Sequence, residues 1–277
     1  MKNILVPLSI IIGFTILGAF YFASQNFTPI KVDTEKKESE VFSKENNSAV
    51  TSEEVNRYLS ATGEIMCDTS SGSGFFWMEN NEMWVVTNKH VVEGETSCQF
   101  LPEHSSGQTW AAYRLDLSSN NTWNGFSDIV RVRPFVAKND SVGTPALSTI
   151  DDKGISKLRF CVNELLQGSP LVLIGYPAFA VQTVQIPGTN TLGTVNSRQV
   201  TNGIVSGYDQ SGGGVLGSLP YVNYYVSAKI DSGNSGGPVF AKDNEGLCFL
   251  GVATWLNVGN YDTQGIVQNI HNIVYKN

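Results

Sequence analysis

Gly233-Asn234-Ser235-Gly236-Gly237-Pro238 sets one serine among three glycines, directly ahead of the apolar Val239-Phe240. A serine hydroxyl is a poor nucleophile unless a base takes its proton and backbone N–H groups hold the oxyanion that forms. Glycines on both sides meet that need, because they free the backbone to adopt unusual dihedrals and leave no side chains in the way of an incoming carbonyl. The expected oxyanion donors are the amides of Gly233 and Ser235. Read without chemistry, the stretch is a Gly-rich turn before a strand. It also satisfies G-x-S-x-G, a nucleophile elbow that runs from a strand through the serine into a helix. Gly236, Gly237 and Pro238 open a helix badly, the elbow's partners would have to be Asp262 and His271, and no βαβ alternation precedes them. The stretch therefore favours an all-β body over an α/β one.

The surroundings agree. From about residue 62 to 262 the chain consists of short runs rich in Val, Ile, Tyr, Phe and Thr, such as MWVVTN, PLVLIGYP and YVNYYVSA, punctuated by Gly, Asn, Asp and Pro. Many short strands with turn signals between them read as a sandwich or barrel. At the tail, Ile266, Val267, Ile270, Ile273 and Val274 in GIVQNIHNIVYKN fall on one helical face, which predicts a C-terminal helix closing the β body. At the other end Thr51-Ser52-Glu53-Glu54 reads as a helix start, with Val55, Tyr58 and Leu59 following at helical spacing.

The folded body does not need all 277 residues. Ile4 to Ala23 carries no charge, and at ~1.5 Å per residue a helix of that length covers the ~30 Å apolar thickness of a bilayer. Lys2 precedes the run and no Lys or Arg follows until Lys31, which places the start in the cytoplasm and the rest outside. The competing reading is a cleaved signal, with an apolar core of ~7–15 residues and a small-x-small site; Tyr21 stands where a small residue is wanted before Ala23. Residues 1–23 are thus expected to be an N-terminal transmembrane helix or a signal sequence. Residues 24–50 are expected to be a flexible polar linker, too poor in apolar groups to offset the entropy of ordering, and 51–277 the folded domain.

Export makes Cys67, Cys98, Cys161 and Cys248 informative, since thiols pair outside the cytosol. They show no C-x-x-C spacing, which argues against a zinc or redox site. If bridges form, Cys67 with Cys98 and Cys161 with Cys248 keep each pair within one half of the domain; four buried free thiols are the alternative. A net charge of −7 without any basic cluster argues against nucleic acid as a partner.

A base is needed, and the chain has three histidines. His90 ends the apolar run Val85-Val86-Thr87-Asn88-Lys89-His90, where a turn can present the imidazole. His104 lies in a polar stretch and His271 in the tail, and both read as structural. The base in turn wants a carboxylate on its second nitrogen. Asp128 is preferred because Ile129, Val130 and Val132 begin an apolar strand directly after it; Asp116 is the runner-up, and Asp140 and Asp151 lie in polar loops.

Gly72-Ser73-Gly74-Phe75, TNKHVV, Ser127-Asp128-Ile129-Val130, TNGIVSG and DSGNSGGPVF stand in that order, and the set resembles the trypsin-like serine peptidases, above all the bacterial HtrA-type branch, over about residues 62 to 275. The resemblance implies two six-stranded β-barrels with the site in the cleft between them. It implies His90 as general base, Asp128 as its orienting partner and Ser235 as nucleophile, in a serine endopeptidase that needs neither metal nor organic cofactor and takes a protein or peptide as substrate. It also implies a substrate pocket lined by Lys229 to Asp231 and by Val252, Ala253 and Thr254. No aspartate stands where trypsin selects Arg or Lys; Ile230 and Val252 suit a small or medium apolar side chain. Gly188 to Gln199 and Gln210 to Gly217 are expected to be mobile loops at the cleft. HtrA-type proteins usually add a C-terminal PDZ module and oligomerise through an N-terminal segment; the chain is expected to lack the former, and its oligomeric state stays open. The rival reading is a catalytically inactive trypsin-fold binding or scaffold protein, since folds do not fix functions.

Overall fold

The computed structural model describes residues 49–102, 112–122, 127–135, 158–162, 164–185, 192–209, 221–258 and 263–274. The apolar run 4–23 and the polar linker up to residue 48 lie outside these, and among the described residues no helix is long and apolar enough to cross a membrane.

Thr51 caps helix α1 (Ser52–Leu59) in a reciprocal box: the Glu54 amide donates to Thr51 Oγ1, and the Thr51 amide to Glu54 Oε2 at 2.7 Å. Six strands follow: β1 (Thr62–Cys67), β2 (Ser71–Glu79), β3 (Glu82–Asn88), β4 (Cys98–Pro102), β5 (Tyr113–Thr122) and β6 (Ile129–Phe135). They close into a barrel in the order β1-β2-β3-β6-β5-β4. Asn80 and Asn81 carry positive φ, 51° and 62°, between the paired Glu79 and Glu82, so the β2–β3 hairpin turns in two residues with the twist the strands require.

A second closed barrel, in the order β10-β11-β14-β13-β12-β7, comprises β7 (Pro170–Gly175), β10 (Gln199–Asp209), β11 (Asn223–Val226), β12 (Pro238–Asp243), β13 (Gly246–Val258) and β14 (Thr263–Asn269). The hairpin of β8 (Val181–Gln185) and β9 (Leu192–Asn196) stands apart as a two-stranded sheet. Part of the stretch from Gly188 to Gln199, expected as a loop, is therefore the paired strand β9; Gln210 to Gly217 lies outside the described residues.

Strand alternation divides the apolar side chains among three cores. Phe76 faces the first barrel's interior, edge-on to Phe100 and Tyr113 at 4.7 and 5.4 Å. Its neighbour Phe75 faces the other way, into a layer shared by the barrels, where it meets Phe249 at 4.9 Å. Tyr58 of α1 enters this shared layer, stacked on Phe240 at 4.4 Å. The second barrel's interior holds Leu171, Leu173, Tyr224, Val239 and Val267. The disulfides pair Cys67 with Cys98, directly opposite on β1 and β4, and Cys161 with Cys248. They close loops of 31 and 87 residues, constraints on the order of 4 kcal/mol each in the chain-entropy picture.

The tail differs from expectation. Residues 263–269 are strand β14, paired on one side with β11 and on the other with β13, and only the single turn α3 (His271–Val274) is helical. The apolar spacing of GIVQNI suits a helix face, but a short apolar run buried from both sides suits a central strand equally well, and β-branched Ile266 and Val267 fit the pleat. Gly265 confirms the crowding: a Cβ there would meet Ile230 Cδ1 at 2.5 Å.

Glu64 on β1 is 2% exposed, covered from outside by β9, where the Asn196 amide and side chain donate to its two oxygens at 3.1 and 2.7 Å. Burial outweighs these bonds and pushes the carboxyl up to about 7 from an ordinary 4.5. A carboxyl raised on folding contributes stability that is complete below its unfolded value and lost as pH rises through the folded one. The unfolding free energy should therefore fall between pH 5 and pH 8 by on the order of 3 kcal/mol from this group. Glu64→Gln, always neutral, should remove that share of the slope, so in urea titrations the variant gains on the natural protein at pH 8 relative to pH 5; parallel pH dependences would refute the assignment.

Candidate active site

The antiparallel register of β3 and β6 sets Asn88 opposite Ile129, which brings the residues after Asn88 beside Asp128. The turn α2 (Lys89–Val92) is pinned by Val91 and Val92, buried in the first barrel, and this leaves the His90 imidazole on the outer side at 45% exposure. The Lys89 amide donates to the Asp128 carbonyl at 2.6 Å and the His90 amide to Asp128 Oδ1 at 3.0 Å. His90 Nδ1 meets Asp128 Oδ2 at 2.6 Å. An ionised carboxylate only accepts, so Nδ1 carries the proton and Nε2 is the basic atom of the ring.

Of the other candidates, Asp116 accepts from the amide and hydroxyl of Ser118, away from His90. His271 bonds the Cys161 carbonyl through Nε2 at 2.7 Å, a structural role. His104, Asp140, Asp151 and Asp262 lie outside the described residues. Strand β12, not a helix, follows Ser235, so the elbow reading fails on its own requirement. Among the described residues the one cluster of possible metal ligands is Cys161, Asp243 and Cys248, but its sulfurs form a disulfide and its carboxylate is engaged by Arg159.

The loop carrying Ser235 leaves the second barrel and docks on the first. The Ser73 amide donates to the Ser235 carbonyl at 2.7 Å, and Ser73 Oγ donates to the Gly233 carbonyl at 2.7 Å while accepting from the Tyr176 amide at 2.9 Å. Gly236, at φ +86°, lies so close that a Cβ would overlap the Ser73 carbonyl and Thr87 Oγ1. Gly233, at φ +91°, is pressed against Tyr176 and Ala178 in the same way. Along the loop the Asn234, Gly236 and Gly237 amides donate to Asp231, Ala253 and Asn234 carbonyls. The Gly233 and Ser235 amides donate to no backbone carbonyl among the described residues.

The expected pocket residues are placed unevenly. Val252 and Ala253 are wholly buried, in the shared layer and the second barrel respectively, because successive residues of a strand flanked on both sides face opposite cores. Thr254 is 3% exposed and donates its hydroxyl to the Val252 carbonyl at 3.0 Å, whereas Ile230, at 8%, lies over Gly265. Lys229 is exposed, paired with Asp231 at 3.2 Å and set over the Phe179 ring at 4.4 Å. Two residues that hold this site had no assigned role in the sequence: Ser73, whose only signal was its place between two glycines, and Asn88, a polar residue closing an apolar strand.

The trypsin-like peptidase domain family matches over residues 72–251. The serine protease Do-like HtrA of Bacillus subtilis (strain 168) is 27% identical over 214 residues, 75% of this chain, and the chain spans only 38% of that relative's length. Among solved structures, that of Deg5 matches with a TM-score of 0.52 at 19% identity, covering 81% of this chain and 93% of the other. The inactive form of the Rv3671c protease of M. tuberculosis matches with a TM-score of 0.50 at 16% identity, covering 79% and 88%. At such identities the likeness speaks for the fold, the pair of barrels.

Ser73→Ala should strand two buried backbone groups, the Gly233 carbonyl and the Tyr176 amide, at a cost of about 2–4 kcal/mol. Urea unfolding checks this, and a loss under about 0.5 kcal/mol, the size of an ordinary surface change, would mean the clasp is unimportant. Gly236→Ala should be worse still, since it adds positive-φ strain to the overlap.

Proposed function

The chain belongs to the family of trypsin-like peptidase domains, and from that premise we propose that it is a serine endopeptidase in which His90, Asp128 and Ser235 form the catalytic triad. Ser235 Oγ attacks the peptide carbonyl as His90 Nε2 takes its proton. His90 then protonates the leaving amine, and water hydrolyses the acyl-enzyme by the same route in reverse. Asp128 holds the imidazole in the tautomer that leaves Nε2 basic. The Gly233 and Ser235 amides, which no backbone carbonyl competes for among the described residues, hold the oxyanion.

The observation that carries this reading is the convergence of two halves. The bonded His90–Asp128 pair of one barrel lies within two residues of Asn88, whose amide nitrogen a Cβ on Gly236, next to Ser235, would meet at 3.0 Å. For substrate, Ile230 over Gly265 favours a small or medium apolar side chain before the scissile bond. Action outside the cytoplasm, from a membrane anchor at residues 4–23, is supported by that apolar run and by two disulfides, which persist in oxidising compartments.

Ser235→Ala should abolish hydrolysis of casein and labelling by a fluorophosphonate; a variant that still cleaves would end the mechanism, and a natural protein that never labels would favour a non-catalytic scaffold. Asp128→Asn should lower kcat by about 10⁴-fold, because the amide presents the wrong partner to Nδ1. A peptide-library profile should show Ala, Val or similar residues preferred before the cleaved bond, and a preference for Arg or Lys there would overturn the pocket assignment.

A further inference from the structure

Gln268 is an anomaly of the second barrel. It is 0% exposed at the penultimate position of β14, opposite Val252 of β13 and between the buried Val267 and Asn269. Its Oε1 has no hydrogen-bond partner among the described residues, so the amide is not there to complete a satisfied network. A buried amide left half-paired is unfavourable against an apolar residue of the same shape. Among the described residues its side chain makes one bond, from Nε2 to Ser127 Oγ at 3.1 Å.

Ser127 immediately precedes Asp128 and is 3% exposed. Its Oγ also accepts from the Ile129 amide at 3.1 Å, so one hydroxyl brackets Asp128 from both sides. A second buried contact reaches the same turn: Asn88 Nδ2 donates to the Asp128 carbonyl and to Thr254 Oγ1, both at 3.1 Å. Both contacts spring from one short piece of β13 and its partner, Val252 beside Gln268 and Thr254 beside Asn88. Between them Ala253 exchanges backbone bonds with Gly236 and Gly237 of the Ser235 loop. The Ser235 loop and the Asp128 turn are thus referenced to the same three residues.

We infer that Gln268 is a positioning residue for catalysis: through the Ser127 hydroxyl it fixes the turn that carries Asp128, so that the barrel bearing Ser235 sets the geometry of the His90–Asp128 pair. The inference rests on the triad proposed above. Gln268 touches neither substrate nor reacting atoms; it acts through Ser127, and the bond it supplies is directional in a low-dielectric setting where an apolar side chain would fill space without fixing the turn.

The test uses Gln268→Met, similar in length and without a donor, and Ser127→Ala, which cuts the same bond from the first barrel should the Met variant fold poorly. Each should lower kcat by about tenfold to a hundredfold while KM stays within about twofold, the mark of a displaced catalytic group. In a Ser235→Ala background, each should also shift or broaden the low-field proton resonance of His90 Nδ1–H, which reports the pair itself and does not depend on peptide hydrolysis, so failure here is distinguishable from failure of the triad. The double variant should be no slower than Ser127→Ala alone, because the bond that Gln268→Met removes is already absent without the Ser127 hydroxyl. A lowered melting temperature with kcat and the His90 resonance unmoved would make Gln268 merely structural and overturn the inference, as would additive losses in the double variant.

Discussion

The structure depends on a clasp between two barrels. Ser73, in the second strand of the first barrel, gives its amide to the Ser235 carbonyl and its hydroxyl to the Gly233 carbonyl, and takes the Tyr176 amide. All three partners belong to the second barrel or its loops, and Ser73 is 0% exposed. Apolar contact such as that among Phe75, Phe240 and Phe249 is non-directional and does not by itself specify how the barrels meet. Three directional bonds at one residue select one rotation, and the selected one sets Gly236 against Thr87 and Asn88, at the root of the turn that bears His90.

That arrangement explains why the glycines around Ser235 stand where they do. Gly233 and Gly236 both have positive φ, and at each a side chain would enter the backbone of the partner segment. The loop is therefore held close and left bare, with two amides that other carbonyls do not claim among the described residues. On the facing side, the Asp128 carboxylate is 15% exposed and tied through both oxygens to His90, so the imidazole has little freedom to leave its tautomer. In the proposed mechanism these two half-sites supply the base and the anion site that acyl transfer needs.

Much of this was legible in the residues because the relevant signals are local. The glycine pattern around Ser235, the apolar strand ending at His90 and the strand beginning after Asp128 are each read within a few residues, and the structure brings the last two into direct contact. The capping box at Thr51 follows the same logic. What escaped was decided at long range. Whether GIVQNI forms a strand or a helix turns on the presence of free edges on β11 and β13, which no window of sequence contains. That the side chains of Val252 and Ala253 enter two different cores likewise depends on what packs on each face of their strand. Ser73 and Gln268 act on partners 160 and 141 residues away, and nothing beside them announces it.

Those separations have a consequence for how the chain comes to life. Contacts between distant positions form after local ones, because loop closure must precede them. Ser73 cannot engage Gly233 until the 160 residues that separate them have been brought together by folding. Until that contact forms, Gly236 does not lie against Thr87 and Asn88, and the Ser235 loop has no fixed place beside the turn that bears His90.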